Sequence, residues 1–558
     1  MIGLLAKRTA YSASEKEPEG DGPALSVALT IAGIAVTAGA FMLYSRVAWP
    51  WLLLGWVGFV PWLTALDRTT TIGGAIGSGL FMSVAFVAAL FPWIPAAISD
   101  YTGAPHWVGV VVGLVLAPIL EPQLIAYAVS RQFARHARGG ERWWRTAIVG
   151  AGFYVGSEWL WPKLLADTLG QGLHASALLR QAADLAGAHG LTFALIFTNE
   201  CAFAALRKIS LHPRLEKNEG LATGAWMAPF LCSAVLVAAL LAYGSVRLSQ
   251  LGSGAPAYGI KAAIVQADLS HYDRLAAEIG TFAAVREILD VHFSLSGEAL
   301  AHSDLDVLIW PETVYPTTFG SPKSEDGAAF DREIGAFVGS KRTPLLFGAY
   351  DRDEGHEYNA AILLEPSANG RVSFDTYRKA QLFPFTEHLP SLLESERIRR
   401  WLPWTGHWTP GGQARTLLLT LRDGRRLPIA PLICYDALDP GFVLAAVREG
   451  AELLVTLSND SWFAFPGMQR LILIASAFRS IEARRPQLRA TTTGISAVID
   501  ASGELRDTLD VDGRGVLVGS IAPRRSPWTL MLAWGNWFPP TVLVGALALL
   551  VVSVITDK

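Results

Sequence analysis

Apolar residues dominate the first 245 positions of the chain, in blocks at about 25–44, 49–66, 73–98, 107–129, 146–162, 190–206 and 224–245. Roughly 20 apolar helical residues cross a hydrocarbon core, and most of these blocks are long enough to do so. They predict seven transmembrane helices over 25–245. Beyond them the pattern changes to short apolar runs separated by charged and turn residues. Runs at Ile260–Val265, Val307–Trp310, Leu345–Ala349, Ala360–Leu364, Ile429–Cys434, Leu453–Leu457 and Ser496–Ile499 read as strands. Helical patterns lie between several of them, at 272–301 and at 466–485, the latter with Leu471, Ile474, Phe478 and Ile481 at helical spacing. A last apolar block at about 536–555 predicts an eighth crossing. The chain therefore divides into a polar tail (1–24), seven spans (25–245), an α/β domain (246–530), and an eighth span with a short end (531–558). The α/β block of about 285 residues is large enough to bury its own core.

Charge placement supplies an orientation. Arg131, Arg135, Arg138, Arg142 and Arg145 lie between the fourth and fifth spans, and Arg207, Lys208, Arg214 and Lys217 between the sixth and seventh. Basic loops stay in the cytoplasm, so both loops are expected there, and alternation places the amino terminus with them. The seventh span then runs outward, the α/β domain lies on the far face of the membrane, and the eighth span returns Asp557 and Lys558 to the cytoplasm. Residues 1–24 mix Lys7, Arg8 and Lys16 with Glu15, Glu17, Glu19 and Asp21 and read as a mobile cytoplasmic tail. The first span follows a partly acidic leader with no small-x-small cleavage pattern, so it reads as an uncleaved anchor. The hydrophobic content of 51%, the mean hydropathy of +0.33 and the 19 tryptophans place the chain in the membrane class. A net charge of −3 gives no footprint for a nucleic-acid partner.

The chain has three cysteines, and Cys201 and Cys232 lie in apolar stretches where a small soft side chain packs. No disulfide framework is readable. Cys434 differs: it ends an apolar run in Pro431-Leu432-Ile433-Cys434-Tyr435-Asp436, within the polar half of the chain. A free thiol titrates near pH 8.5, so a nucleophilic cysteine needs a neighbouring base or cation. Glu312, in Trp310-Pro311-Glu312, and Lys379, in Tyr377-Arg378-Lys379, are candidates for both. A carboxylate can take the thiol proton, and an ammonium, with the backbone N–H of Tyr435, can stabilise the oxyanion of an acyl-transfer intermediate without a metal. Each of the three has a plain alternative: a strand-end surface carboxylate, a solvated loop charge, a core thiol.

Local sequence favours the chemical reading. Ile309-Trp310-Pro311-Glu312, then Tyr377-Arg378-Lys379 with Leu382, Pro384-Phe385 and Glu387, then Ile433-Cys434-Tyr435 resemble the base, lysine and nucleophile segments of the nitrilase superfamily. Within it the chain resembles the bacterial apolipoprotein N-acyltransferases. Further matches are Leu457-Ser458-Asn459-Asp460-Ser461-Trp462-Phe463, Arg479 to Pro486, Arg489-Ala490-Thr491, Thr493-Gly494-Ile495, Gly535-Asn536-Trp537 and Glu158-Trp159-Leu160. The resemblance implies a multi-pass α-helical membrane domain joined to an α-β-β-α sandwich with a Glu312-Lys379-Cys434 triad and no cofactor or metal. It implies supporting or substrate-binding roles for Glu387, Tyr435, Asp436, Trp462 and Phe463. The implied reaction moves a fatty acyl chain from a phospholipid donor through a cysteine thioester to a diacylated apolipoprotein acceptor, at a bacterial inner membrane. Trp401-Leu402-Pro403-Trp404 with Trp408 reads as a mobile arm touching the bilayer, or as rings stapling a loop to the sandwich.

Departures from the pattern bear on the acceptor. Asp436 stands where Glu is usual, Ala267-Asp268 follows Gln266 where Gly-Asn is usual, Tyr272 is the nearest aromatic after it, and Gly467-Met468-Gln469-Arg470 replaces a Gln-His pair. A paralogue acylating another amine, a lipid amidase and a non-catalytic scaffold are the alternatives. An intact Glu312, Lys379 and Cys434 argue against the last.

Overall fold

The computed structural model describes residues 23–137, 142–215, 226–253, 258–269, 272–367, 371–462, 465–524 and 527–555. The predicted tail up to residue 22, Arg138, Lys217, Phe463, Asp557 and Lys558 lie outside the described residues.

The apolar blocks are helical, but they are not equal. Among the described residues, four helices are long and apolar enough to cross a bilayer alone: Val27–Tyr44, Ile72–Leu90, Leu179–Ile209 and Met227–Gly252. The block at 107–129 is two helices, His106–Leu120 and Gln123–His136, bent by 45° about Glu121-Pro122, and they make a fifth span if taken together. Pro122 has no N–H to continue the first helix, so the break follows from the sequence. The block at 49–66 is a 3-10 helix, Trp51–Trp56, and a short α-helix, Val60–Leu66. Asn199 holds that irregular join: its amide nitrogen donates to the Gly55 carbonyl and its oxygen accepts from the Phe59 N–H, both at 2.8 Å. Lipid offers no such partners. Helix Trp143–Leu160 buries Arg145 and Glu158, and the last apolar helix, Phe538–Ser553, is short. Phe41, Phe59, Trp62, Tyr127 and Tyr154 pack together at the centre of the bundle in tilted and edge-on pairs, Phe41 and Phe59 with ring centroids 4.5 Å apart.

The polar half is built from twelve strands: β1 (Ile260–Gln266), β2 (Val307–Ile309), β3 (Leu345–Asp353), β4 (His356–Pro366), β5 (Val372–Arg378), β6 (Leu417–Thr420), β7 (Arg426–Ile433), β8 (Leu453–Ser458), β9 (Gln487–Thr491), β10 (Ser496–Ile499), β11 (Leu505–Leu509) and β12 (Gly515–Ile521). They form two six-stranded sheets, in the orders β12-β1-β2-β3-β4-β5 and β11-β10-β9-β8-β7-β6. Each has three parallel strands at its centre, β1-β2-β3 and β7-β8-β9, with antiparallel flanks. The inner strands show no alternation of apolar and polar residues, because parallel strands buried on both faces read as continuous apolar runs. Ile264, Ile309 and Leu346 of one sheet meet Ile429, Val455 and Leu488 of the other in a shared core. Helices Thr281–His302 and Glu325–Lys341 cover the first sheet, and Pro440–Arg448 and Pro466–Ala483 the second, giving an α-β-β-α sandwich. The helix expected over 272–301 is two helices, parted at Gly280 with φ of 88°.

The helix Pro466–Ala483 joins the two regions. Leu473 and Ala477 pack on Ala497 and Ile499 of β10, while Ile474, Phe478 and Ile481 enter the core of the helical bundle beside Leu173 and Leu191. The periodic face read from the sequence thus packs on the membrane region rather than on the sheet. A polar clamp sits at its end. The Arg484 guanidinium, fully buried, donates to Asp184 at 2.7 and 3.0 Å and to Gln181 Oε1 at 2.6 Å, and Arg247 and Tyr243 close on the same carboxylate at 2.6 Å. Removing one partner of a buried ion pair costs about 3–5 kcal/mol. Arg484→Met is therefore expected to lower the thermal midpoint of the detergent-solubilised protein by several degrees. An unchanged midpoint would show that the two regions do not rely on this clamp.

Candidate active site

The carboxyl ends of parallel strands are where an α/β sheet offers free backbone groups and loop side chains. At this edge β2 runs on through Trp310 and Pro311 to Glu312. Trp310 N–H donates to Leu346 at 2.9 Å, and Pro311 accepts from Gly348 N–H at 3.0 Å. Gly348 is required by this approach: a Cβ there would lie 2.6 Å from the Glu312 Cα and 2.4 Å from the Thr313 nitrogen. Lys379 follows β5 directly, its N–H donating to the Asn359 carbonyl of β4 at 2.8 Å. Cys434 follows β7 with φ of 48°, a left-handed conformation that costs an L-residue about 1–2 kcal/mol. This turns the chain abruptly into the 3-10 helix Cys434–Leu438.

The structure brings Glu312, Lys379 and Glu387 into direct contact. The Lys379 ammonium lies 3.0 Å from Glu312 Oε1 and 2.8 Å from Glu387 Oε1. Glu312 also accepts from Asn359 Nδ2 at 2.8 Å and, on its other oxygen, from the Asn459 N–H at 2.8 Å. Glu387 accepts from the same Asn359 amide at 3.3 Å and from the Phe383 N–H at 2.7 Å. Glu312 and Lys379 are buried, while Cys434 is partly accessible.

Burial pushes Glu312 above the usual carboxylate range; Lys379 opposes the shift and Glu387 adds to it. Burial alone would draw Lys379 down, but Glu312, Glu387 and Cys434 together hold it well above its ordinary value, so it stays an ammonium. The Cys434 thiol is raised by burial and by the Glu312 charge, and Lys379 only partly compensates. At neutral pH the sulfur is therefore a thiol, not a standing thiolate.

The other expected residues take different places. Asp436 is fully buried and braces the site: it accepts from Tyr377 Oη at 2.8 Å, Ile433 N–H at 3.0 Å, Gln381 N–H at 2.7 Å and Ala380 N–H at 3.2 Å. It ties the lysine segment to the nucleophile turn, and burial pushes its pKa up to about 6. Tyr435 sets its ring edge-on to Phe383, at 5.3 Å and 83°, and donates its hydroxyl to the carbonyls of Lys163 and Leu164. Trp462 closes the 3-10 turn Asp460–Trp462. Ala267 and Asp268 leave β1 at the same edge, Asp268 N–H donating to the Thr492 carbonyl at 3.2 Å. Trp408 packs on Tyr350, centroids 4.5 Å apart, whereas Trp401 is 72% exposed. Of the other cysteines, Cys201 is buried, but Cys232 lies on the exposed face of its helix.

Two contributors escaped the sequence reading. Asn359 is an amide at the start of an apolar strand, and that misplaced polarity was its signal. The Asn459 N–H is a backbone group; its loop is fixed by Asp460, which accepts from Ser458 Oγ at 2.6 Å and from Arg489 at 2.7 and 3.0 Å.

Comparison with known proteins agrees with both halves of the chain. Residues 261–528 match the Carbon-nitrogen hydrolase family, and residues 38–201 match the Apolipoprotein N-acyltransferase N-terminal domain. The apolipoprotein N-acyltransferase of Geobacter metallireducens is 28% identical over 480 residues, 84% of this chain and 85% of that one. That of Bdellovibrio bacteriovorus is 26% identical over 512 residues, 88% and 87% of the two chains. A carbon-nitrogen hydrolase structure from Helicobacter pylori G27 overlaps 47% of this chain and 89% of its own, at 16% identity and a TM-score of 0.32. With a membrane region and an enzyme region matched in that order, and relatives of one kind aligned along most of its length, the chain belongs to the apolipoprotein N-acyltransferase family.

Proposed function

We propose that the protein N-acylates lipoproteins in two steps, with Cys434 as the acyl carrier, Glu312 as the base and Lys379 as the oxyanion partner. The donor is a glycerophospholipid and the acceptor the α-amine of a diacylglyceryl-cysteine. One observation carries these roles: a single buried ammonium held between two carboxylates, at the sheet edge where the turn after β7 carries Cys434.

In the first step Glu312 takes the Cys434 proton as the sulfur attacks the ester carbonyl of the phospholipid. The negative oxygen that forms is received by Lys379 and the Tyr435 N–H. Collapse expels the lysophospholipid alkoxide, which takes the proton back from Glu312, and leaves the thioester. In the second step the acceptor amine attacks the thioester carbonyl and gives its proton to Glu312. The thiolate leaves and recovers that proton, and the amide is released. Asn359 and the Asn459 N–H hold the base in place through both steps.

Both substrates carry chains that would cost about 0.8 kcal/mol per methylene to hold in water, so both are met at the bilayer surface. The arginines support an orientation. Arg131, Arg135 and Arg207 gather on Asp67, at 3.5, 3.0 and 3.5 Å. Basic residues mark the cytoplasmic side, so the sandwich faces outward from the inner membrane, with 1–24 and the carboxyl end inside. Under this reading 25–245 supplies seven membrane passes, 246–530 the catalytic domain and 531–558 the eighth pass.

The test is direct. Purified protein incubated with labelled phospholipid should acquire a hydroxylamine-sensitive acyl adduct, and adding a diacylated lipopeptide should discharge it onto the peptide. Acceptor-independent release of fatty acid would point to a hydrolase instead. Cys434→Ser should form no adduct. General-base catalysis contributes about 100- to 10,000-fold, so Glu312→Ala and Lys379→Ala should slow adduct formation at least about 100-fold; near wild-type rates in either would overturn its role.

The pH dependence has a definite sign. Glu312 must be ionised to act, so the rate of adduct formation falls on acidification, with a midpoint above the ordinary carboxylate range. Glu387 contributes to that elevation as a like charge, so Glu387→Gln should move the midpoint to lower pH. A midpoint that moves upward would count against Glu312 as the group observed.

A further inference from the structure

The segment between helix Trp143–Leu160 and the helix that begins at Ala183 carries a buried ion network that the reaction above does not use. Lys163 Nζ lies 3.1 Å from Asp167, 3.5 Å from Glu158 and 3.6 Å from Glu121, and donates to the Asp167 carbonyl at 2.8 Å. Glu158 is held further by Thr168 Oγ1 at 2.7 Å. Glu121 stands at the break between helices His106–Leu120 and Gln123–His136. One ammonium therefore fastens a linker to an interrupted membrane helix and to the end of its neighbour. Charges in such surroundings are costly, and a retained set calls for a task.

The task is visible on the far side of the same residue. The Lys163 carbonyl accepts the Tyr435 hydroxyl at 3.2 Å, and the Leu164 carbonyl accepts it at 3.1 Å. Tyr435 follows the nucleophile directly and lies edge-on to Phe383, whose N–H donates to Glu387 at 2.7 Å. The other oxygen of Glu387 holds the Lys379 ammonium at 2.8 Å. The links run without interruption from a lysine at the membrane bundle to the lysine of the site.

We propose that Lys163 is a positioning residue for acyl transfer: by fixing the two carbonyls that receive Tyr435, it sets Phe383 and Glu387 and thereby the place of Lys379. The sandwich alone does not complete the site, because the membrane region supplies this support. The inference rests on the role given to Lys379 above.

The experiment is a double-mutant cycle on the full-length protein in lipid, reading single-turnover adduct formation from labelled phospholipid over a range of donor concentrations. The variants are Lys163→Met, which keeps the aliphatic stem, Lys163→Arg, which restores the charge, Tyr435→Phe, which removes only the hydroxyl, and Lys163→Met with Tyr435→Phe. Each of the first and third should slow the saturating rate by about tenfold, with half-saturation unchanged, and the double variant should be no slower than the worse single one. Lys163→Arg should recover most of the rate. Losses that multiply in the double variant, or a full rate in Tyr435→Phe, would overturn the proposal, as would a folded Lys163→Met with a wild-type rate. If Lys163→Met does not fold, the Tyr435→Phe and Lys163→Arg rates decide. A wild-type protein that forms no adduct at all would instead sink the acyl-carrier reading on which the inference stands.

Discussion

A single buried ammonium between two carboxylates is the constraint around which this site is assembled. Glu312 and Glu387 carry two negative charges when ionised, Lys379 supplies one positive charge, and burying an unpaired charge costs several kcal/mol. The residual imbalance is met by dipoles rather than by another cation: the Asn359 amide bridges both carboxylates, and the Asn459 and Phe383 N–H groups each cap one of them. Those donors come from β4, from the loop after β8 and from the loop after Lys379, so the charge cluster can form only when both sheets are in place. Burial lifts Glu312 above the usual carboxylate range, with Glu387 adding to the rise and Lys379 opposing it.

The surroundings of Cys434 follow the same constraint. A standing thiolate would add a third negative charge to the cluster, and burial already disfavours it. A sulfur that stays protonated avoids that penalty, and the proposed role of Glu312 is to take its proton when a substrate arrives. The backbone of Cys434 sits at φ of 48°, and Asp436 braces that turn by gathering four hydrogen bonds across it and the lysine segment. Shortening Glu to Asp at this position therefore does not leave a loose carboxylate, since this chain closes its own geometry around the shorter side chain.

How much of this was legible in the sequence follows from what each element buries. The central strands β1, β2, β3, β7 and β8 lie between layers, so they are unbroken apolar runs and read plainly. Strands β5 and β11 are edges with mostly exposed side chains, and β9 carries Gln487 and Arg489 inward to pair with Thr456 and Asp460, so none of the three has a strand signature. Glu312, Lys379 and Cys434 were singled out through local resemblance, because nothing in their spacing encodes that Lys379 meets Glu312 and Glu387. Asn359 was missed for the same reason, and the Asn459 N–H belongs to no side chain at all. In the membrane half, hydropathy marked where apolar helices occur but not where Pro122 or the Gly55–Phe59 join interrupts them.

The helix Pro466–Ala483 shows why those two halves cannot be treated as separate modules. Its periodic apolar residues Ile474, Phe478 and Ile481 pack among membrane helices, while Leu473 and Ala477 on another face serve the sheet. A helix buried on both sides transmits position in a way that a tethered domain does not. The Arg484 clamp at one end and the Tyr435 hydroxyl bond to the linker at 163–164 tie the two regions together on either side of that helix. A substrate whose acyl chains remain in the bilayer presents its ester at a nearly fixed depth. Under the proposed role of Cys434, tying the sheets firmly to the bundle serves the reaction, since every ångström of relative motion would be lost alignment between sulfur and ester.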